Sequence, residues 1–359
     1  MKKYFLFLFF LFYTFPCFSQ TDIISDVFVT INSDYINAVD NKEIMFKGLK
    51  ALVKIDNTIK FKQTNEKVFM YRSSKMVGAF VLPEISDLPY IWSDFTKNII
   101  NKAIEVSPKV ELIDFEIPDR FAQEVFEGLD GYSHYYSSFS DQADKPHVIK
   151  RNFASRIVAD DLLLIKILTF KKDVHQQVKN AIDECSKCKG LILDLRGNHG
   201  GLLDEALKIT DMFLDEGIVT YTLSKDNAEP KFYTAGEGDI LKNKPMVVLV
   251  DGFSASASEI LAAALSEQNR AVLVGTKTYG KGTVQEVSKN NNGAAIALTT
   301  SYFYTPGGNI IDKKGIMPAI CTGGLKSGYV VTDGECERQD RFTNEADVEV
   351  AAKFIKNEL

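Results

Sequence analysis

Apolar runs and polar breaks alternate most regularly between residues 246 and 286 of this 359-residue chain. The continuous apolar run Met246–Val250 predicts a short strand that is buried on both faces. Apolar residues then recur at helical spacing from Ser256 onward, a second buried strand follows at residues 271–274, and a glycine-flanked loop carries Lys281. The pattern therefore places a serine at the N-terminus of a helix and a lysine in a tight loop after the next strand.

The remaining hydrophobic pattern predicts a mixed α/β chain. Residues 191–195 form another buried run, which ends in a glycine-rich turn and an amphipathic helix at residues 202–214. The first third is predicted to be mostly helical, with three short alternating segments that indicate a small β-meander. The other predicted elements are helices at 21–53, 88–105, 118–126 and 345–359, a helix that ends at Cys185, meander strands at 58–62, 67–71 and 76–81, and strands at 162–170 and 294–305.

Ser256 and Lys281 each have an ordinary structural explanation. Ser256 with Glu259 three residues later fits a capping box, which satisfies free amides at a helix start, and a loop lysine is usually a solvated cation. Together they also fit a catalytic pair, because a serine hydroxyl needs a base and a desolvated lysine can serve as one. The helix N-terminus would add free amides and a positive dipole end where an oxyanion forms.

The residues of this region carry a family resemblance. The segments SASASEI (254–260), RAVLVG (270–275) and TYGKGTVQ (278–285) resemble, in order and spacing, the carboxyl-terminal processing (tail-specific) serine protease family. The resemblance implies that Ser256 is the nucleophile, that Lys281 is the general base and that Gln285 orients the lysine. A lysine base acts only when deprotonated, so we expect activity that rises with pH across the neutral range and is lost in Lys281→Ala.

A second motif lies at the end of the buried run, where residues 194–203 have the sequence DLRGNHGGLL. From the residues alone, this is a strand-to-helix turn that needs glycine for positive φ angles. It also resembles the D-L-R-x-N-x-G-G-x-L motif of the same family. The resemblance implies that the Gly201 amide joins the Ala257 amide as the oxyanion hole, and that Gly200 and Arg196 contact the substrate.

Composition and the first residues bear on location. The net charge of −6 argues against a nucleic-acid surface. Residues 1–19 have a basic start, an apolar stretch and small residues near Ser19, which predicts a cleaved secretory signal peptide and a periplasmic or extracellular protein. Cys17 lies in a poor lipoprotein signal, and no later stretch is long and apolar enough to span a membrane.

Four cysteines remain after the signal peptide, at positions 185, 188, 321 and 336. An even number in an exported chain favours structural disulfides or buried thiols. The Cys185-x-x-Cys188 spacing leaves a redox pair or half a zinc site open as alternatives. The pairing does not follow from the sequence, although Cys321–Cys336 is one candidate that would close a loop.

The segment from Leu129 to Ser137 resembles the stretch that precedes a peptide-binding PDZ domain in this family. Here a polar linker of only 19 residues follows (141–159), which is too short to fold as a PDZ domain, so a PDZ-less member is predicted. The predicted organisation is a signal peptide at 1–19, a mostly helical N-terminal region with a β-meander at 20–140, a linker at 141–160, a protease core at 161–322 and a C-terminal loop and helix at 323–359.

Two other mechanisms are weaker. His199 lies in the glycine-rich turn and could pair with the serine, but nothing in the sequence orients it as a catalytic triad requires. The segment from Gly275 to Gly282 nearly matches a phosphate-binding loop but lacks the final hydroxyl residue that would hold magnesium. Neither nucleotide binding nor a Ser-His pair is therefore favoured.

The predicted fold class is α/β, a crotonase-like β/α spiral core with an N-terminal, mostly helical cap. The predicted function is an exported serine endopeptidase that acts on unfolded or tail-exposed proteins through a Ser256–Lys281 dyad and an acyl-enzyme. No metal or cofactor is implied; the partners are a protein or peptide substrate and either a second copy of the chain or an activating protein. The alternative is a peptide-binding protein of the same fold that is catalytically silent or activated by a partner.

Overall fold

The computed structural model describes residues 22–84, 88–137, 152–225, 229–236, 238–289, 293–323, 330–331, 336–342 and 344–357. The predicted signal peptide, Cys17 and residues 141–151 of the predicted linker lie outside these ranges. Within them, no helix combines the length and apolar character that crossing a membrane requires. The same ranges contain no group of three or more His, Cys, Asp and Glu side chains that could hold a metal ion. The chain divides into two compact units.

The first unit comprises the described residues of Met1–Ser33, Val39–Phe139 and Ser288–Ile296. Its elements are α1 (Ile23–Asp34), α2 (Asn41–Ile55), β1 (Ile59–Gln63), β2 (Lys67–Arg72), β3 (Lys75–Val81), α3 (Pro89–Val106), α4 (Pro108–Glu111), α5 (Ile117–Glu127) and β4 (His134–Tyr136). Strands β1, β2 and β3 form the predicted antiparallel meander. The helical stretch predicted for 21–53 is two helices, because Asp40 caps a new helix by accepting a hydrogen bond from the Lys42 amide at 2.7 Å.

The second unit comprises the described residues of Asp34–Ala38, Ser140–Val287 and Ala297–Leu359. The elements from residue 153 onward are β5 (Phe153–Val158), β6 (Leu162–Ile167), α6 (Val174–Glu184), β7 (Gly190–Asp194), α7 (Leu203–Asp211), β8 (Gly217–Ser224), β9 (Lys231–Ala235), β10 (Met246–Val250), α8 (Ala257–Glu267), β11 (Val272–Gly275), β12 (Thr283–Lys289), β13 (Ala295–Tyr304), β14 (Ile320–Cys321), β15 (Val330–Val331) and α9 (Glu345–Ile355). One sheet has the strand order β12-β13-β8-β9, in which β13, β8 and β9 are antiparallel neighbours.

The larger sheet has the strand order β15-β14-β11-β10-β7-β6-β5, and its five inner strands are parallel. Alternate strand residues such as Leu193 and Val248 share a core with helices α6, α7 and α8. Their neighbours Ile192 and Leu249 share a second core with α9. Because both faces are covered, these strands have continuous apolar sequences, and the predicted α/β class is confirmed.

Part of the predicted linker is a strand, which corrects the boundary at residue 160. β5 pairs antiparallel with β6 along its whole length, from Phe153 opposite Ile167 to Val158 opposite Leu162. Four of its six residues are exposed, so the strand has no buried face that would produce an alternating apolar pattern. Its stability comes from the ladder with β6, which the sequence does not reveal.

The four cysteines form two disulfides, Cys185–Cys188 and Cys321–Cys336. Cys188 pairs with Cys185 across the turn that ends α6, so neither thiol is available as half of a zinc site. The second bond links β14 to the segment that precedes α9. Of the predicted alternatives of structural disulfides or buried thiols, the structure shows disulfides, and it also supplies the pairing.

Candidate active site

Three loops that carry the predicted site residues follow neighbouring parallel strands. The glycine-rich turn follows β7, the serine turn follows β10, and the lysine loop follows β11; β10 lies between the other two strands. Carboxyl ends of parallel strands lie at one edge of a sheet, which is where open α/β sheets bind ligands. The fold therefore brings the three predicted motifs to one edge.

The three serines of the SASAS segment have different environments. Ser254 is fully buried, and its hydroxyl donates to the carbonyl of Leu195 at 2.9 Å. Ser258 is fully buried as well, and its hydroxyl donates to the carbonyl of Asn198 at 2.9 Å. Ser256 is only partly buried. The fold thus commits the outer two hydroxyls to backbone carbonyls and leaves the middle serine accessible.

Ser256 has an unusual backbone conformation, with φ 57° and ψ −119°. Side-chain-bearing residues rarely adopt positive φ, and such strain costs roughly 1–3 kcal/mol and clusters at functional sites. Ser256 is also the residue directly before α8. The amide of the next residue, Ala257, therefore lies in the first turn of the helix, where amides have no acceptor within the helix. The chain lacks the G-x-S-x-G sequence of a nucleophile elbow, but Ser256 still occupies a sharp turn between a strand and a helix.

Glu259 joins the serine turn to the lysine loop. This carboxylate is fully buried and accepts four hydrogen bonds, from the amides of Ser256 (2.9 Å), Gly280 (2.7 Å) and Lys281 (2.8 Å) and from the Thr278 hydroxyl (2.5 Å). The amides of Ser256 and Lys281 share one oxygen, Oε2, so their nitrogens lie no more than about 6 Å apart. Burial raises the pKa of Glu259, and the hydrogen bonds from its neutral donors oppose that shift.

The sequence predicted only part of this role. The capping-box spacing accounts for the hydrogen bond that the Ser256 amide donates to Glu259, but Thr278, Gly280 and Lys281 lie about 20 residues further along the chain. The carboxylate is thus the residue that brings the predicted nucleophile and the predicted base loop together.

The glycine-rich turn packs directly against the serine turn. A Cβ atom on Gly200 would lie 3.0 Å from the Ser256 Cβ and 3.3 Å from the Ala257 nitrogen. Gly201 has φ +142° and forms a bridge with Phe170, whose carbonyl would lie 2.4 Å from an added Cβ. Both positions therefore require glycine. Among the described residues, neither the Gly201 nor the Ala257 amide has a hydrogen-bond acceptor.

Asn198 fixes the distance between the two turns. Its backbone carbonyl accepts from the Ala255 amide at 3.0 Å and from the Ser258 hydroxyl, and its side-chain oxygen accepts from the Gly200 amide at 2.8 Å. The side chain is fully buried. Asn198 belongs to the glycine-rich motif, so the sequence pointed to this position, but the role of its side chain depends on contacts that only the fold creates.

Lys281 lies in the loop just before β12, and Gln285 lies within that strand. Lys281 is partly buried. The Gln285 amide nitrogen donates to the hydroxyls of Thr283 (2.8 Å) and Thr299 (3.2 Å). These two bonds fix the orientation of the amide and leave its carbonyl oxygen as the group that can accept from an ammonium.

Arg196 is 2% exposed and lies in a buried ion network. Its guanidinium donates to Asp194 at 2.9 and 2.7 Å and to Asp347, at the start of α9, at 3.2 Å. Lys166 also contacts Asp194 at 3.0 Å. Burial opposes the charge on Asp194, but Arg196 and Lys166 reverse that effect and hold the pKa of Asp194 below its ordinary value. The guanidinium is thus engaged inside the protein, which argues against the predicted substrate contact.

His199 is exposed in the glycine-rich turn, and its ring packs edge-on against Phe253 with the centroids 5.6 Å apart. No described carboxylate forms an ion pair or a hydrogen bond with this imidazole. The orienting group that a Ser-His mechanism needs is therefore lacking among the described residues.

The chain is similar to known peptidases. Residues 161–322 match the model of peptidase family S41. The carboxy-terminal-processing protease of Bartonella bacilliformis is 37% identical over 200 residues, which cover 53% of this chain and 46% of that protein. The carboxy-terminal processing protease CtpA of Bacillus subtilis is 37% identical over 197 residues, covering 54% and 41%. The chain thus spans less than half the length of these two relatives.

A solved structure of a lipoprotein from Streptococcus agalactiae is similar in fold. The match has a TM-score of 0.51 and 17% sequence identity, and it covers 90% of this chain and 99% of that one.

Proposed function

We propose that this chain is an exported serine endopeptidase with Ser256 as nucleophile and Lys281 as general base, in keeping with its match to peptidase family S41 and its similarity to carboxy-terminal processing proteases. The observation that carries the proposal is the Glu259 carboxylate, whose one oxygen accepts from the amides of both residues. A group that holds nucleophile and base together in this way supplies the fixed geometry that catalysis requires.

The proposed reaction uses the protein groups described above. Ser256 Oγ attacks the peptide carbonyl as Lys281 Nζ takes its proton, and the Gly201 and Ala257 amides donate to the oxyanion. Lys281 then gives the proton to the leaving amine, and an acyl-enzyme on Ser256 remains. Water, deprotonated by Lys281, hydrolyses the ester. In this scheme the carbonyl oxygen of Gln285 orients the lysine.

Two of the predicted substrate-binding residues receive different roles in the proposal. Gly200 lets the backbone approach the nucleophile, since an added Cβ would lie 3.0 Å from the Ser256 Cβ. Arg196 is assigned to the support of the turn, because its guanidinium is buried between Asp194 and Asp347.

The location and the substrate class belong to the proposal too. Two disulfides in the described chain suit an oxidising compartment outside the cytoplasm. An endopeptidase with this site acts on extended chains, so the proposed substrates are unfolded proteins or proteins with an accessible tail.

The test compares purified wild type with Ser256→Ala and Lys281→Ala on denatured casein, with fragments identified by mass spectrometry. We expect cleavage by the wild type and a loss of at least about 10⁴-fold in both variants, as for other serine hydrolase nucleophiles and bases. Ser266→Ala, in the last turn of the same helix, and Lys289→Ala, at the end of β12, are matched controls that should cleave normally.

A fluorophosphonate probe separates the enzyme from the alternative. Labelling of wild type at Ser256, but not of Lys281→Ala, supports the dyad. A protein that binds casein peptides but neither cleaves them nor reacts with the probe is the peptide-binding protein instead. Cleavage that survives in Lys281→Ala would rule out the lysine base.

A further inference from the structure

A cavity of about 440 Å³ lies beside the lysine loop and has no role in the proposed chemistry. Thr278 and Tyr279, which precede Lys281 in that loop, form part of its wall. Its charged lining consists of four cations and one carboxylate: Lys277, Lys313, Lys314, Arg338 and Glu337. The excess of positive charge makes the cavity suited to an anionic group.

The cations are available to a ligand. Lys313 and Lys314 are exposed, and the described part of the chain places no carboxylate at ion-pair distance from them or from Lys277. Arg338 lies over the Tyr279 ring, 4.9 Å from its centroid, and donates to the Tyr279 carbonyl at 3.3 Å. The arginine is therefore held in place on the wall of the cavity, with its charge at the surface.

The walls of the cavity are bonded to the proposed catalytic loops. The Tyr279 amide donates to the Ser254 carbonyl at 3.0 Å, and the Lys313 amide donates to the Gly280 carbonyl at 2.8 Å. Two residues of chain span at most about 7 Å, so Tyr279 is close to Lys281. An extended peptide at the nucleophile would therefore reach the cavity within a few residues of the bond that is cut.

Apolar groups complete the lining. Met317 is 36% exposed in the cavity wall, and Cys336 of the Cys321–Cys336 disulfide also contributes. Apolar surface bordered by cations fits a short aliphatic segment that ends in a carboxylate, such as an acidic side chain or the end of a chain.

On the premise of the proposed peptidase, we propose that this cavity is a specificity site that binds a carboxylate of the peptide substrate. The carboxylate is that of an aspartate or glutamate side chain or the free carboxyl terminus, located within a few residues of the cleaved bond. The lysines attract it and Arg338 provides directed N–H donors.

The first experiment maps the cleavage sites in denatured casein for the wild type and for the cavity variant Lys313→Gln/Lys314→Gln. The matched control is Lys179→Gln/Lys187→Gln, whose lysines lie on α6 and in the turn after it. We expect Asp, Glu or a chain end to be enriched at one position relative to the cut in wild type and in the control. The enrichment should fall about fivefold to tenfold in the cavity variant, a range typical of a few partly exposed charge pairs.

The second experiment separates the two sources of the carboxylate. Peptides that match the preferred site are made with a free carboxyl terminus or a carboxamide, and with Glu or Gln at the enriched position. Loss of cleavage on amidation assigns the chain end, and loss on Glu→Gln assigns the side chain. Lys313→Glu/Lys314→Glu should instead prefer Lys at that position.

The third experiment does not depend on cleavage. Fluorescein-labelled model peptides of one fixed apolar sequence, chosen without reference to a cleavage site, carry a free carboxyl terminus or a carboxamide, or an internal Glu or Gln. Their binding to Ser256→Ala is measured by anisotropy, and a carboxylate peptide should bind about fivefold more tightly than its amide counterpart, with the difference reduced at about 0.5 M salt. Equal affinity of the two peptides, or an equal loss for both in Lys313→Gln/Lys314→Gln, overturns the carboxylate site whether or not the protein cleaves casein. Failure of the proposed peptidase appears separately, as binding without cleavage.

Discussion

Two buried carboxylates support neighbouring loops of the candidate site in opposite ways. Asp194, at the end of β7, is 2% exposed and contacts the cations Arg196 and Lys166. Glu259, in the first turn of α8, is fully buried and accepts from three backbone amides and one hydroxyl. Burial raises the pKa of Glu259, whereas the cations outweigh burial at Asp194 and hold its pKa below the ordinary value.

The difference indicates what each carboxylate does. Asp194 and Arg196 connect β7 to Asp347 in α9, more than 150 residues along the chain, so their network holds the fold together. Two of the donors to Glu259 are the amides of Ser256 and Lys281, the nucleophile and the base of the proposed reaction. Removing a partner at Asp194 should therefore cost mainly stability, and removing the charge of Glu259 should cost mainly activity.

The largest effect is expected for Arg196→Met. The variant leaves Asp194 and Asp347 buried without the guanidinium between them, which should lower the free energy of unfolding by about 3–5 kcal/mol. Urea unfolding of wild type and variant measures this difference. The control is Arg156→Met, which removes an exposed ion pair with Glu345 and should change stability by less than about 1 kcal/mol.

The same variant tests the substrate contact that the sequence predicted for Arg196. If Arg196→Met unfolds like the wild type but cleaves casein poorly with a raised KM, then the arginine contacts substrate and the structural role is wrong. Activity per folded molecule that stays close to the wild-type value supports the structural role.

The next effect is expected for Glu259→Gln. The NH₂ group of a carboxamide cannot accept a hydrogen bond, so some of the donors that now bond to the carboxylate would lose their acceptor. The lysine loop should then lose its fixed distance from Ser256. We expect kcat/KM to fall about 100-fold, or about 2.7 kcal/mol of transition-state stabilisation. The free energy of unfolding should change by less than about 2 kcal/mol, since the substitution also removes the cost of a buried charge.

Glu216→Gln, in the exposed turn before β8, is the matched control and should keep full activity. A Glu259→Gln protein that reacts with a fluorophosphonate at the wild-type rate would show that the carboxylate does not position the nucleophile and the base.

The contrast also marks what the sequence could predict. Local periodicity and motif spacing identified the strand–turn–helix around Ser256, the loop of Lys281 and the bond between Glu259 and the serine amide, because each depends on residues close together in the chain. The hydrogen bonds that the lysine loop donates to Glu259 depend on two strands lying side by side.

Long-range contacts account for the other differences. The ion pair of Arg196 with Asp347 could not be predicted because the two residues are remote in sequence. Strand β5 has no buried face, so its sequence shows no alternating apolar pattern. The pairing of Cys321 with Cys336 was one candidate from the sequence, and only the fold decides it among the possible pairings.

The smallest effect should appear on mild acidification. The pKa of Glu259 lies above its ordinary value of 4.5, so the folded protein binds this proton more tightly than the unfolded protein does. Ionisation of Glu259 therefore lowers the free energy of unfolding as the pH rises from 4.5 through the raised pKa. The pKa of Asp194 lies below 3.8, so its contribution to stability is present above pH 3.8 and is lost only as the pH falls through the lowered value.

Hydrogen exchange can follow the two carboxylates separately. As the pH falls through the raised pKa of Glu259, protection of the Gly280 and Lys281 amides should fall about fivefold after correction for intrinsic exchange, because a protonated Glu259 is a weaker acceptor. The Arg196 amide, which donates to Asp194 at 3.0 Å, should keep its protection. In Glu259→Gln the pH dependence at Gly280 should disappear. An equal loss at all three amides would mean that the two carboxylates respond to acid together, and the separation between fold-supporting and site-positioning carboxylates would then fail.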